Sequence, residues 1–292
     1  MNSTSHRFTA NGSFTLSEKL TLTLTDTYLK TSEIEDIREI PDIGPITQRY
    51  DMTMHSVSGN ISYRFTGRLT YTLGASYSET YSEDEDFDEV TTYSGNTGFT
   101  YRYSERTTLS INAVYSRTDY STSSDATGQN YSLGITYILS PTLTAALTGG
   151  VAVTEIEDTD ETSTDFSGGV DITKTFERGS ATLSYRQTVI PSIETGTPVR
   201  SQTVRLYLIR PLLERWIASV SGSYSNFKSI NADDIDRDEI RFDTNLTYNF
   251  RQWASLVLSY SYVDSNDKTS DEDDYYNHIV LLSIRLSHSK RL

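Results

Sequence analysis

The stretch Leu69-Thr70-Tyr71-Thr72-Leu73-Gly74-Ala75-Ser76-Tyr77 decides how this chain is read. Every second residue is apolar, and those between are small or polar. Residues two apart share one face of an extended strand, so the segment has an oily side and a polar side. The same period recurs in Phe8 to Leu16, Leu20 to Leu24, Val57 to Phe65, Phe99 to Tyr103 and Leu109 to Tyr115. It continues in Tyr131 to Leu139, Leu143 to Val153, Phe166 to Phe176, Ala181 to Val189 and Val204 to Leu208. Trp216 to Tyr224, Ile240 to Phe250, Ala254 to Tyr262 and Val280 to Leu286 complete the set. Helical periodicity is almost absent. The pattern predicts an all-β protein of 15 visible strands.

The connections alternate too. Short turns fall at Ser17 to Lys19, Thr66 to Arg68, Ser104 to Arg106, Ser140-Pro141, Glu177 to Gly179, Arg210 to Leu213 and Arg251-Gln252. Between them lie long polar segments: Lys30 to Tyr50, Ser82 to Glu89, Arg117 to Gln129 and Glu155 to Thr164, then Ile190 to Pro198, Asn226 to Asp238 and Asp264 to Asp274. In an antiparallel meander this rhythm puts every short turn at one end and every long loop at the other.

What faces the oily side decides the fold. The alternating segments run to roughly 9–13 residues, long enough to cross a bilayer when tilted. Aromatics gather near both strand ends: Tyr63, Tyr101, Tyr137, Trp216 and Trp253 by the short turns, Tyr77, Tyr115, Tyr185, Tyr224 and Tyr262 by the long loops. Such rings favour the headgroup level, and two girdles flanking an apolar band are the signature of a transmembrane barrel. A soluble sandwich would need a second sheet to cover the oily side, and nothing in the sequence pairs the strands into two layers. The expected architecture is a single antiparallel up-and-down barrel spanning residues 1–292, of about 16 strands because bacterial single-chain barrels are even-numbered. The sixteenth strand is expected upstream of Phe8, or as one merged or missed elsewhere. The expected setting is a Gram-negative outer membrane, with lipid and lipopolysaccharide around the wall, long acidic loops extracellular and short turns periplasmic, and a periplasmic export or redox protein as a further partner.

Composition removes other classes. There are 292 residues and no Cys, which excludes disulfides, thiolate metal sites and covalent haem. The formal charge of −15 argues against a nucleic-acid surface. The 21 Tyr residues and the many β-branched ones argue against disorder along the whole length. The N-terminus, Met1 to His6, lacks the basic and then apolar run of a signal peptide, so an exported form is expected to be mature or truncated.

The acids concentrate in the long segments: Glu83, Asp84, Glu85, Asp86, Asp88 and Glu89; Glu155, Glu157, Asp158, Asp160 and Glu161; Asp233, Asp234, Asp236, Asp238 and Glu239; Asp264, Asp267 and Asp271 to Asp274. Oxygen ligands at that density can take divalent cations, although Asp234-Ile235-Asp236-Arg237-Asp238 lacks the Gly and distal Glu of a calcium loop. A solvated rim is the plainer expectation. The short turns are basic instead (Lys19, Arg68, Arg106, Arg178, Arg215, Arg251), which suits snorkelling to headgroups or docking of an acidic periplasmic partner.

Strand parity sets Arg64, Arg102, Arg186 and Arg205 on the polar face as lumen-lining candidates, either an anion-preferring constriction or partners of inward carboxylates. For catalysis the inventory is thin. None of the four histidines, His6, His55, His278 and His288, sits beside a Ser or Asp arrangement that the sequence certifies, and His278 shares parity with Val280 on the oily face. No catalytic residue and no bound cofactor is expected.

One resemblance is visible. The segment Ile40-Pro41-Asp42-Ile43-Gly44-Pro45-Ile46-Thr47-Gln48-Arg49-Tyr50, leading into Ser56 to Phe65, resembles outer-membrane barrels associated with exopolysaccharide systems. So does the unit Ser104-Glu105-Arg106-Thr107-Thr108-Leu109-Ser110-Ile111. The resemblance implies a conduit for polar solutes or an exported polysaccharide. Its alternative is a scaffold barrel enclosing or anchoring a partner, an export component or a periplasm-spanning redox protein. Such barrels commonly end in an aromatic residue, whereas this chain ends Leu286-Ser287-His288-Ser289-Lys290-Arg291-Leu292.

Overall fold

The computed structural model describes residues 5–31, 51–82, 89–157, 161–191, 198–230, 236–251, 253–269 and 275–286. These hold fifteen strands and no helix. They are β1 (His6–Ser17), β2 (Leu20–Thr31), β3 (Met52–Arg64), β4 (Leu69–Ser82) and β5 (Val90–Arg102). Next come β6 (Thr107–Tyr120), β7 (Ala126–Ser140), β8 (Leu143–Ile156), β9 (Glu161–Phe176) and β10 (Gly179–Pro191). The last are β11 (Pro198–Leu213), β12 (Trp216–Ser229), β13 (Asp236–Arg251), β14 (Ala254–Asp267) and β15 (Tyr275–Leu286). Each pairs antiparallel with the next, giving one meander sheet in sequence order. Among the described residues no pairing joins β15 to β1, so the sheet is not closed, and the expected sixteenth strand is not among them.

Register keeps the two faces pure. Tyr71 pairs with Phe99, Phe99 with Ile111, Ile111 with Leu133 and Leu133 with Gly149, one apolar row crossing five strands. A one-residue slip anywhere along it would send a whole strand's oily set to the polar side. The opposite face runs in hydroxyl and amide rows. Ser76 meets Ser94 at 2.7 Å, Thr203 meets Ser225 at 2.9 Å and Thr173 meets Thr182 at 3.1 Å. In the Asn60–Gly74–Asn96 row, a side chain on Gly74 would collide with both flanking amide oxygens, which explains the glycine.

Three of the short turns share a device. A Ser or Thr at the turn's start accepts the amide three residues on: Ser17 from Leu20 (3.1 Å), Thr66 from Leu69 (3.0 Å), Ser104 from Thr107 (3.0 Å). These side-chain bonds fix the reversal without a special backbone conformation. Two expected boundaries move. Arg210 to Leu213 is strand, with its turn at Glu214-Arg215, because Pro211 sits next to a register shift where its missing N–H leaves no gap in the ladder. Arg117 to Gln129 is also mostly strand, since β6 reaches Tyr120 and β7 begins at Ala126. Ladder hydrogen bonds continue there beyond the apolar residues, and charged side chains occupy the extension.

The described residues form no ordinary core. On the apolar face Leu133 is 64% exposed and Leu147 54%. Buried side chains gather instead at the long-loop end, as with Leu29, Met52, Val90, Val199 and Val263.

Candidate functional site

The polar face is concave, as contacts across it show. A cavity of about 90 Å³ is lined by Val114, Thr118 and Ala152 of β6 and β8 together with Val189, Ile190 and Pro198 of β10 and β11. The β9–β10 ladder stops at Gly168 and Gln187, although both strands continue. There the Gln187 amide donates to the Phe166 carbonyl (3.0 Å), capping the split. Beyond it the β10–β11 end leaves the wall and lies against the polar face of β6–β8. Ile190 and Val199 bury against Phe227 on one side. On the other, the Arg200 guanidinium bonds the buried Asp165 carboxylate of β9. The tip therefore narrows the space inside the curl at the long-loop end.

The sequence-predicted arginines all share this face. Each is exposed, and none forms an ion pair among the described residues. They fall into two separated pairs, not one ring. Arg64 and Arg102 flank the β3–β4 turn at the short-turn end. With Arg68, Thr70 and Thr108 they line a cavity of about 320 Å³. Arg186 and Arg205 sit further along adjacent strands, where Arg186 pairs with Thr203 and Ser184 with Arg205. Of the carboxylates on the same face, Asp243 is taken by Arg241 (3.0 Å), Ser221 (3.3 Å) and Ser261 (2.7 Å). Asp267 is paired with Arg237 at 2.9 Å, both nearly sealed from solvent. Asp171 also faces inward, opposite Ser184. The hydroxyl-lined surface thus carries free guanidiniums and mostly neutralised acids.

Sequence reasoning missed a second motif, on the apolar face. Four tyrosines near the long loops aim the hydroxyl at a polar residue two positions nearer the loop. Tyr77 donates to Glu79 (2.9 Å), Tyr131 to Gln129 (3.0 Å), Tyr185 to Gln187 (3.1 Å) and Tyr262 to Asp264 (3.2 Å). A ring with its body in an oily band and its hydroxyl toward polar groups marks a boundary between two media. The recurring pair of Tyr with Glu, Gln or Asp at i±2 was the available signal. His278 lies at the same level, 4.8 Å from the Tyr262 ring and bonded to the Tyr260 hydroxyl (3.0 Å).

Above that boundary the acids are substantially paired. Arg117 bridges Asp119 (2.7 Å), Asp125 (3.0 Å) and Glu157 (2.9 Å), tying β6, its loop and β8 together. These carboxylates hold the Arg117 guanidinium above its ordinary value, the Asp119 hydrogen bond foremost. Lys268 reaches Asp238 (2.9 Å) and Asp236 (3.3 Å). Burial pushes the Asp238 carboxyl up, but hydrogen bonds from Asn226, Lys268 and Tyr224 outweigh it and hold it below the usual range. No cluster of three or more metal-type ligands occurs among the described residues. Residues 83–88, 158–160, 233–235 and 271–274, candidates for divalent cations, lie outside them.

No family model matches the chain, and no curated protein is similar to it. Solved structures are. The FrpB iron transporter from Neisseria meningitidis aligns with a TM-score of 0.55 at 11% identity, over 90% of this chain and 52% of that one. BauA, the ferric preacinetobactin receptor from Acinetobacter baumannii, gives 0.55 at 11%, over 90% and 54%. This chain spans about half the length of these two structures. At such identities the likeness concerns the fold, and the fold is the antiparallel meander sheet of outer-membrane β-barrels.

Proposed function

We propose that the chain forms a barrel wall in a Gram-negative outer membrane and provides a passage for polar, preferentially anionic solutes. The observation that carries this is the concave face, lined with hydroxyls and amides and bearing Arg64, Arg102, Arg186 and Arg205, which have no ion-paired carboxylate among the described residues. The membrane setting is supported by the continuous apolar face, which no second layer covers among the described residues, and by tyrosines oriented across its edge. Monomeric soluble proteins rarely expose so large an oily surface. The similar iron transporter and ferric preacinetobactin receptor, which share the fold, favour transport over catalysis. The long acidic segments face outward from the cell and the short basic turns face the periplasm, as is usual for such barrels. An exported acidic polysaccharide fits the same chemistry, since spaced guanidiniums match repeated carboxylates while hydroxyl rows replace water.

The test is conductance of the purified full chain in planar bilayers under a salt gradient. Anion-selective reversal potentials are expected, with Arg64→Gln/Arg102→Gln/Arg186→Gln/Arg205→Gln moving selectivity toward cations. A sealed or cation-selective wild-type protein overturns the reading. A scaffold barrel is the second reading, favoured by the β10–β11 end inside the curl and by β1 and β15 each having one strand partner among the described residues. It expects a stoichiometric co-purifying partner and no conductance alone.

A further inference from the structure

A groove of about 760 Å³ lies on the apolar face at the short-turn end, walled by Lys174, Phe176, Leu208 and Val220 and rimmed by Arg178 and Arg210. Register explains the dent. Lys174 pairs with Ala181, which pairs with Leu208, and Phe176 pairs with Gly179, so the strand between two bulky walls offers almost no side chain. The Lys174 ammonium donates to the Thr142 hydroxyl at 2.8 Å, which holds the cation at the groove's edge. Arg178 and Arg210 form no ion pair among the described residues, and Glu177 is the one carboxylate in the lining. Three cations against one acid surround an apolar trough where the oily band ends.

We infer that this groove is a binding site for one anionic glycerophospholipid, its phosphate among Lys174, Arg178 and Arg210 and an acyl chain along Phe176, Leu208 and Val220. The inference rests on reading the apolar face as lipid-facing, but not on the passage. The charge balance selects a net-negative headgroup, because a zwitterionic lipid brings its own ammonium to an already cationic rim. Basic residues near a headgroup surface each strengthen such attraction by about fivefold.

Native mass spectrometry of the full chain released from detergent tests this with phosphatidylglycerol, phosphatidylethanolamine and lipid A offered separately. Phosphatidylglycerol is expected as a retained single adduct, more occupied than phosphatidylethanolamine. Each of Lys174→Gln, Arg178→Gln and Arg210→Gln should lower that occupancy by about fivefold. Ala181→Phe, which fills the trough and keeps every charge, should also displace it. Heat-modifiable gel mobility shows that each variant is folded, and Arg210→Gln alone suffices where another variant is not. Equal retention of the two phospholipids, or unchanged adducts in the Gln variants, means annular lipid only and overturns the site. Stronger retention of lipid A overturns the choice of occupant. Conductance that persists while the adduct is lost leaves the passage standing.

Discussion

Leu133 and Ser132 are adjacent residues at the middle of β7 that point to opposite faces. Leu133 sits in the apolar row between Ile111 and Gly149, and Ser132 lies between Asn112 and Gly150 on the concave side. Leu133 is 64% exposed. In a water-soluble sheet, Leu133→Arg would therefore fall within about 0.5 kcal/mol of neutral. At a bilayer midplane the same change costs about 2–4 kcal/mol. That is a shift of about 30- to 900-fold in the folding equilibrium. Ser132→Arg, at the same depth but beside Gly150 on the wet side, escapes that lipid penalty. Urea unfolding in lipid vesicles, followed by the fluorescence of Trp216 and Trp253, measures both variants. A penalty at Leu133 at least 30-fold larger than at Ser132 is the expected result. Equal penalties, or the larger one at Ser132, would refute the assignment of the two faces.

Three further outcomes follow from the geometry. Arg237→Leu should destabilise by about 3 kcal/mol because the buried Asp267 carboxylate loses its guanidinium and keeps only donors such as the Thr269 amide and hydroxyl, and Arg237→Leu/Asp267→Leu should cost less than Arg237→Leu in the same unfolding assay. Asp238 and Asp267 are held below the ordinary carboxylate value near 4, so their stabilisation is complete above it and is lost as the pH falls through the depressed values. The unfolding midpoint should thus drop between about pH 5 and 2, and less so in Asp238→Asn. Gly179 has φ of +112° and its added Cβ would strike the Ile209 carbonyl, so Gly179→Ala should cost at least about 1–2 kcal/mol, read as a lower midpoint.

Strand identity, order and facing were legible because a strand's pattern is local: alternate residues share a side whatever the neighbours do. Leu69 to Tyr77 carries that information within nine residues. Strand ends were less legible, because Arg117 and Asp119 are loop-like by composition yet continue the ladder once Asp125 and Glu157 neutralise the arginine. The departure of the β10–β11 end was hidden altogether. It depends on contact with β6–β8, far away in sequence, and its local trace was only two apolar residues, Ile190 and Val199, beside Pro191 and Pro198 in a segment expected to be polar rim. The separation of Arg64 and Arg102 from Arg186 and Arg205 likewise needs the cross-strand register, which no single strand contains.

The two outermost strands travel in the same direction, since an odd number of reversals is needed to make them oppose and fourteen separate them. Neither can zip onto the other, nor onto a co-oriented copy in the same bilayer, through the antiparallel ladder used everywhere else in the sheet. Only a segment running the opposite way, toward the long loops, can complete either margin in that pattern. Crowded copies inserted the same way up are thereby discouraged from stitching into ribbons, and a closing strand is selected by its heading before any side chain is read.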